Sequence, residues 1–424
     1  MKMIRLGEVA DVRVSGVDKK TMPGELPTRL CNYTDVYYNW TIRNEMRQGF
    51  MLASARNEEI ERFRLHAGQV AMTKDSETRD DIGHSAFIAD DFDDVILGYH
   101  CALISPFAEK LDGGYLNALF RTRYVSEYFS RNAGGSGQRY YLSDSTIKDL
   151  PLFLPPIDVQ LRIAGILGSL DEKIELNRRK IAELEALAKT IYDYWFVQFD
   201  FPDANGRPYK SSGGKMVWNE QLKREVPKGW EIGTVEDLGE IVSGGTPSTS
   251  NPTYWTQNGI AWITPKDLSD TTNKYIRHGG HDISIDGLNN SSAQLMPRKS
   301  VILSTRAPIG YIAVADCELC TNQGFKSIVP NKKFGSEFVY YSISSLIPYI
   351  KTLGVGSTFA EVSKSALASV CLLLPEIAIS RKFEEIVSSV GEERCVCEKV
   401  IEETIKVRDA LLPLLMNGQV EVAE

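Results

Sequence analysis

Short phrases of this 424-residue chain return in the same order in its second half. That constrains the fold more than any other feature, because whatever the first half builds, the second half builds again. Leu6-Gly-Glu-Val9 matches Leu238-Gly-Glu-Ile241, and Asn32-Tyr-Thr-Asp35-Val36 matches Thr264-Pro-Lys-Asp267-Leu268. Gln69-Val70-Ala-Met72-Thr73 is echoed by Ser300-Val301-Ile-Leu303-Ser304, and Ile82-Gly83 by Ile309-Gly310. Gly135-Ser-Gly137 returns near Gly354-Val-Gly356, and Leu154-Pro-Pro156 as Leu373-Leu-Pro375. Each phrase alone is weak; their shared order argues for a duplication.

Each copy opens with short alternating runs rich in Val, Ile, Thr and aromatics, bounded by Gly and Pro, which read as strands and turns. A proline break follows, Pro155-Pro156 or Pro375, and then a helical stretch. Ile163, Leu167, Leu170, Ile174, Asn177, Ile181, Leu184, Ala188, Ile191 and Trp195 keep a 4,3 spacing without an interrupting Pro. This is the seam of a long coiled-coil helix, with Asn177 as its polar slot, reaching roughly 50 Å at 1.5 Å per residue. The second copy repeats the spacing less regularly, through Ile386, Val390, Glu393, Cys397, Val400, Thr404, Val407, Leu411 and Leu414, and Pro413 is expected to bend or end it. A whole domain separates the two helices, which makes an antiparallel pair easy to form. The expected plan is α+β: a first domain at 1–155, a central helix at 156–199, a turn-rich linker at 200–226, a second domain at 227–375 and a terminal helix at 376–424.

The net charge is −8, and the excess acid sits in the tail, where residues 376–424 carry six Lys or Arg against eleven Asp or Glu. The two large segments are near neutral, so a chain acting on an anionic partner would need help from other subunits. Seven scattered cysteines make no disulfide framework, and Cys317-Glu-Leu-Cys320 lacks the second pair a zinc site needs. The beginning Met1-Lys2-Met3-Ile4-Arg5 lacks a signal-type apolar run, so a cytoplasmic location with no membrane contact is expected. There is no Gly-x4-Gly-Lys-Ser/Thr loop. Asn251-Pro-Thr-Tyr254 has one proline too few for the adenine methyltransferase loop it superficially matches. No catalytic site and no metal are expected in this chain.

The phrases together resemble the specificity subunits of type I restriction–modification systems. The resemblance rests on Gly244-Gly-Thr-Pro247 with Tyr254-Trp255, on Ile260-Ala-Trp262-Ile-Thr-Pro-Lys-Asp267, and on Ser304-Thr-Arg306 with Ile309-Gly310. It rests also on Leu152-Phe-Leu-Pro155-Pro156 with Gln160 and Arg162, on Lys173-Ile-Glu-Leu-Asn177 leading to Trp195-Phe196, and on Leu411-Leu-Pro413 with Asn417-Gly418. It implies two target recognition domains, mostly β, joined by an antiparallel helix pair. Each domain would read half of a split, asymmetric target in double-stranded DNA, and the helices would set the half-site spacing. Two methylation subunits would dock on the helices and restriction subunits would join them. S-adenosylmethionine, ATP and Mg2+ would then belong to those partners and not to this chain.

Loops that combine Gly with cationic, amide, hydroxyl or phenol side chains are the candidate DNA contacts. In the first domain these are Lys74, Arg79, Gln138, Arg139, Tyr140 and Tyr141; in the second, Lys266, Ser304, Thr305, Arg306, Ser357 and Thr358. Two other readings fit parts of the pattern: a coiled-coil scaffold carrying two protein-binding β domains, and a DNA-modifying enzyme in its own right.

Overall fold

The computed structural model describes residues 3–356 and 360–420. They form two compact units, one of Met1–Leu176 with Ile401–Glu424, the other Asn177–Val400, so the division falls inside both long helices.

The duplication is written in the sheets. In the first unit a five-stranded sheet runs in the order Ala10–Val14, Cys101–Pro106, Val70–Thr73, Ser85–Ile88, Thr41–Ile42. In the second the order is Gly239–Ser243, Lys326–Pro330, Val301–Leu303, Ile312–Ala315, Tyr275–Ile276. In both, the last strand is a two-residue edge that pairs parallel, while its neighbours pair antiparallel. Each sheet packs under a smaller one that itself contains one parallel pair, Leu26–Cys31 with Val95–Leu97 and Ile260–Ile263 with Leu319–Thr321.

Several sequence phrases mark equivalent structural devices. Asn32 and Thr264 each head a short helix, and in each the carboxylate three residues on (Asp35, Asp267) accepts the backbone N–H of that head residue at 2.7 Å. Gly83 and Gly310 both turn at positive φ, +87° and +103°. The Leu6 phrase, by contrast, is misaligned. Leu6 N–H donates to the Leu150 carbonyl as Val235 N–H donates to the Val370 carbonyl, so the structural partner of Leu6 is Val235, three residues before Leu238.

The long helices span Ile157–Tyr192 and Ile377–Met416, the first continued by a π-helical turn at Asp193–Val197. In the second unit they run antiparallel: Lys180 pairs with Glu393 and Glu185 with Arg394, while Tyr192 and Trp195 meet Phe383. In the first unit Ile163 and Leu167 share a core with Leu412 and Leu415.

The expected seam is buried at Ile163, Leu167, Ile174, Ala188 and Trp195, but only half-buried at Leu170, Asn177, Ile181, Leu184 and Ile191. Beside Leu170 it is Asp171 that is buried, 2 % exposed. In the second helix Phe383, Val387, Gly391, Arg394, Cys395, Cys397, Glu398, Thr404, Leu412 and Leu415 are buried, so of the expected seam Cys397 and Thr404 hold, but the buried line keeps a different spacing. It is displaced by one residue or more from most of the spacing read in sequence. The helix continues through Pro413 to Met416 and ends within a turn of it.

The stretch read as a linker is folded. Phe199 and Phe201 are buried, Phe201 stacks on Tyr209 and Trp230 at 4.6 and 5.3 Å, and Met216–Asn219 pairs with Arg224–Pro227 as a hairpin.

Candidate nucleic-acid interface

In the first unit the strand Val70–Thr73 runs on into Asp75–Ser76, which pairs with Arg139–Tyr141, itself paired to Gly134–Ser136. This places the predicted residues of the first domain in or beside one small three-stranded sheet. Gln138 and Arg139 are exposed, and so is Tyr141. The Arg79 guanidinium lies 5.4 Å from the centroid of the Tyr140 ring and donates to the Ala133 carbonyl, which holds the phenol and the cation together. Lys74 is different. Its ammonium sits 2.9 Å from Asp75 and its side chain is 18 % exposed, so its charge is spent locally.

Asp75 also takes a 2.6 Å contact from His100 Nδ1. Burial pushes the Asp75 carboxyl up, but the hydrogen bonds from His100 and Lys74 outweigh it and hold the group below its usual range.

Beside this piece lies an open groove of about 560 Å³ lined by Tyr33, Tyr37, Tyr38, Asp75, Gln138 and Arg139, among others. The sequence reading missed the three tyrosines. Tyr33 and Tyr37 stack at 5.7 Å, Tyr37 O–H donates to Asp81, and Tyr38 is 74 % exposed. Burial, with the Asp81 charge behind it, pushes Tyr33 up to about 12, so it stays a neutral donor. The available signal was a run of aromatics, Tyr33-Thr-Asp-Val-Tyr37-Tyr38, that begins inside the repeated phrase Asn32–Val36 and runs past its end.

In the second unit Lys266 is exposed in the first turn of Pro265–Ser269. Ser304 and Thr305, expected as contacts, are fully buried; their hydroxyls donate to the Pro308 and Gly324 carbonyls and shape the turn from inside. Arg306 is 44 % exposed at its side chain and pairs with Glu361 at 2.7 Å, which also holds Lys326 at 3.2 Å. Ser357 and Thr358 lie outside the described residues. The glycines of Gly244-Gly245 serve packing. A Cβ on Gly244 would fall 1.9 Å from the Asn322 carbonyl oxygen, and one on Gly245 2.4 Å from the Ser292 backbone.

The pairings make Asp75 and Arg306 structural equivalents: Asp75 lies opposite Tyr141 as Arg306 lies opposite Glu361, and both follow buried hydroxyl positions, Thr73 and Ser304. One frame thus places an anion in one unit and a cation in the other, each held by partners, Asp75 by Lys74 and His100 and Arg306 by Glu361. Among the described residues no group of three His, Cys, Asp or Glu could hold a metal. Nor is any described helix long and apolar enough to cross a membrane.

The same β domain occurs twice, each copy packed on long helices, and comparison with known proteins gives the class. The family model described as the type I restriction modification DNA specificity domain matches residues 1–186 and 227–406. The type I restriction enzyme HindI specificity subunit of Haemophilus influenzae is 26% identical over 397 residues, covering 81% of this chain and 85% of that protein. The MjaIX specificity subunit of Methanocaldococcus jannaschii is 33% identical over 205 residues; that alignment covers 45% of this chain and 47% of the relative, so it spans about half the length of each. The crystal structure of the type I restriction–modification S subunit from M. genitalium has a similar fold, with a TM-score of 0.60 at 14% identity over 98% of this chain and 95% of that one. The chain belongs to the type I restriction–modification DNA specificity family.

Proposed function

We propose that each unit of this chain reads one half of a bipartite, asymmetric sequence in double-stranded DNA. The long helices set the distance between the halves and dock two methylation subunits, and restriction subunits join that core. Methyl transfer and cleavage, with their S-adenosylmethionine, ATP and Mg2+, belong to the partners. The observation that carries the reading is the charge reversal at one structural position, Asp75 against Arg306, within a repeated frame. A duplicated scaffold with unlike tips suits a target with unlike halves, since side chains of different type match different base edges.

Methylated adenines mapped in cells with and without the gene test this directly: one bipartite motif disappears on deletion, and an unchanged map refutes the reading. Arg139→Ala and Arg306→Ala refine it. Each is expected to weaken binding by about 1–3 kcal/mol and to relax one half of the motif only. Loss of both halves together in either variant counts against separate readers.

A further inference from the structure

The second unit buries a chain of charges that DNA reading does not use. The side chains of Lys274, Glu337, Arg394 and Glu398 are 1, 5, 9 and 1 % exposed. Glu398, on the second long helix, accepts the backbone N–H groups of Lys274 at 2.9 Å and Tyr275 at 3.1 Å, where the edge strand Tyr275–Ile276 begins. Arg394, one turn earlier, donates to Glu398 at 2.9 Å and also to Glu185 of the first long helix. Glu185 in turn accepts the Tyr341 hydroxyl at 3.0 Å. The Lys274 ammonium lies 4.1 and 4.3 Å from the Tyr340 and Tyr341 ring centroids and pairs with Glu337. One continuous polar chain therefore ties a reader's edge strand to both helices.

Such groups add little net stability compared with apolar replacements, but they can specify register. The apolar seam nearby specifies it weakly, because Asn177, Ile181 and Leu184 are only half-buried. A slip of one helical turn moves one helix by about 5.4 Å. An apolar side chain then meets a similar neighbour, whereas the buried Arg394 loses its carboxylate partner across the pair and keeps only Glu398 of its own helix. The first unit also ties its equivalent edge strand to a long helix, there through side chains: Asp171 accepts from the Thr41 hydroxyl at 2.7 Å and from Arg43 at 3.1 Å.

We infer that Glu185, Arg394 and Glu398 are positioning residues that fix the register of the two long helices, and with it the spacing between the DNA half-sites. This rests on the function proposed above. The test uses the chain assembled with its methylation subunits and reads the spacing of methylated bipartite sites by sequencing. Wild type is expected to modify a single spacing. The double variant Glu185→Leu with Arg394→Leu is expected to keep both half-site sequences while modifying sites one or two base pairs longer or shorter, at a tenth or more of the wild-type level. A merely structural role would lower methylation at every site without opening new spacings, and that result overturns the inference. If the double variant fails to fold, Glu185→Gln replaces it, since that side chain is partly exposed; a single unaltered spacing there also overturns it. A wild-type complex that modifies no bipartite site refutes the function itself, and a wild-type motif with every variant held to one spacing refutes only the register lock.

Discussion

Replacing Asp171 probes how the first recognition domain is held to its helix. The carboxylate is 3 % exposed at its side chain and receives the Thr41 hydroxyl at 2.7 Å and an Arg43 N–H at 3.1 Å. A hydrogen bond to a charged acceptor contributes about 1.5–3 kcal/mol net, and stranding a buried hydroxyl costs about 1–3 kcal/mol. The Arg43 side chain is 26 % exposed. Its share is therefore discounted to that of a surface pair, about 0–1 kcal/mol, because the freed guanidinium can turn to water. Removing Asp171 also removes the penalty of burying its charge, so Asp171→Ala is expected to cost ~2 kcal/mol. For a unit of about 200 residues this lowers its melting temperature by roughly 4–8 °C. Asp171→Asn keeps an acceptor for Thr41 and is expected to lose about half as much. Hydrogen exchange across a urea series gives the assay: peptides from Thr41–Ile42 and Ser85–Ile88 lose protection at lower urea, with peptides of the second unit as internal control. A change below about 0.5 kcal/mol for the alanine variant, or equal losses for both variants, refutes the argument.

Two further outcomes follow from the second unit. Phe383 is fully buried and packs edge-on against Tyr192, Trp195, Phe196 and Phe338, so Phe383→Ala is expected to cost about 3–5 kcal/mol in a denaturant titration, and a cost under 1 would show that the cluster can collapse. Asp316 is pushed up by burial, but the cations of Lys399, Arg277 and Arg298, at 2.8, 2.7 and 2.9 Å, hold it well below the usual carboxylate range. A depressed folded-state pKa means the unfolded chain binds the proton first on acidification, so this contribution is complete above about pH 4 and is lost as pH falls further. Asp316→Asn is expected to flatten that acid limb in stability measured from pH 7 down to 3; an unchanged slope would count against it.

What could be read in the sequence was what apolar periodicity encodes. The first long helix was legible because its seam is mostly aliphatic. The second was misplaced over most of its length because its buried face contains Gly391, Arg394 and Glu398, which no hydrophobic pattern points to. Sheet order was not legible, since two-residue edge strands such as Thr41–Ile42 and Tyr275–Ile276 carry too little pattern. At the candidate interface, the sequence puts forward short polar residues beside glycine as contacts. For Arg139 and Tyr141 exposure agrees with that role, but Ser304 and Thr305 show the other use of such residues, satisfying a tight turn from within. Tyr33, Tyr37 and Tyr38 were passed over because aromatics read first as core.

Gly391 occupies, on the second long helix, the place that Asp171 holds on the first: each lies four residues beyond a buried apolar pair, Phe383 and Val387 or Ile163 and Leu167. A Cβ there would come within 2.2 Å of the Tyr275 hydroxyl and 2.7 Å of a Glu337 oxygen. A helical glycine costs about 0.5–1 kcal/mol against alanine, yet here it leaves room for a phenol that reaches from the strand. In the other copy a shorter strand hydroxyl, Thr41, meets a carboxylate that reaches from the helix. The two halves have thus divided the same gap in opposite ways. They descend from one part and no longer interchange: the first helix beneath the second reader would drive Asp171 against Glu337, and the second beneath the first would leave Thr41 facing an empty space.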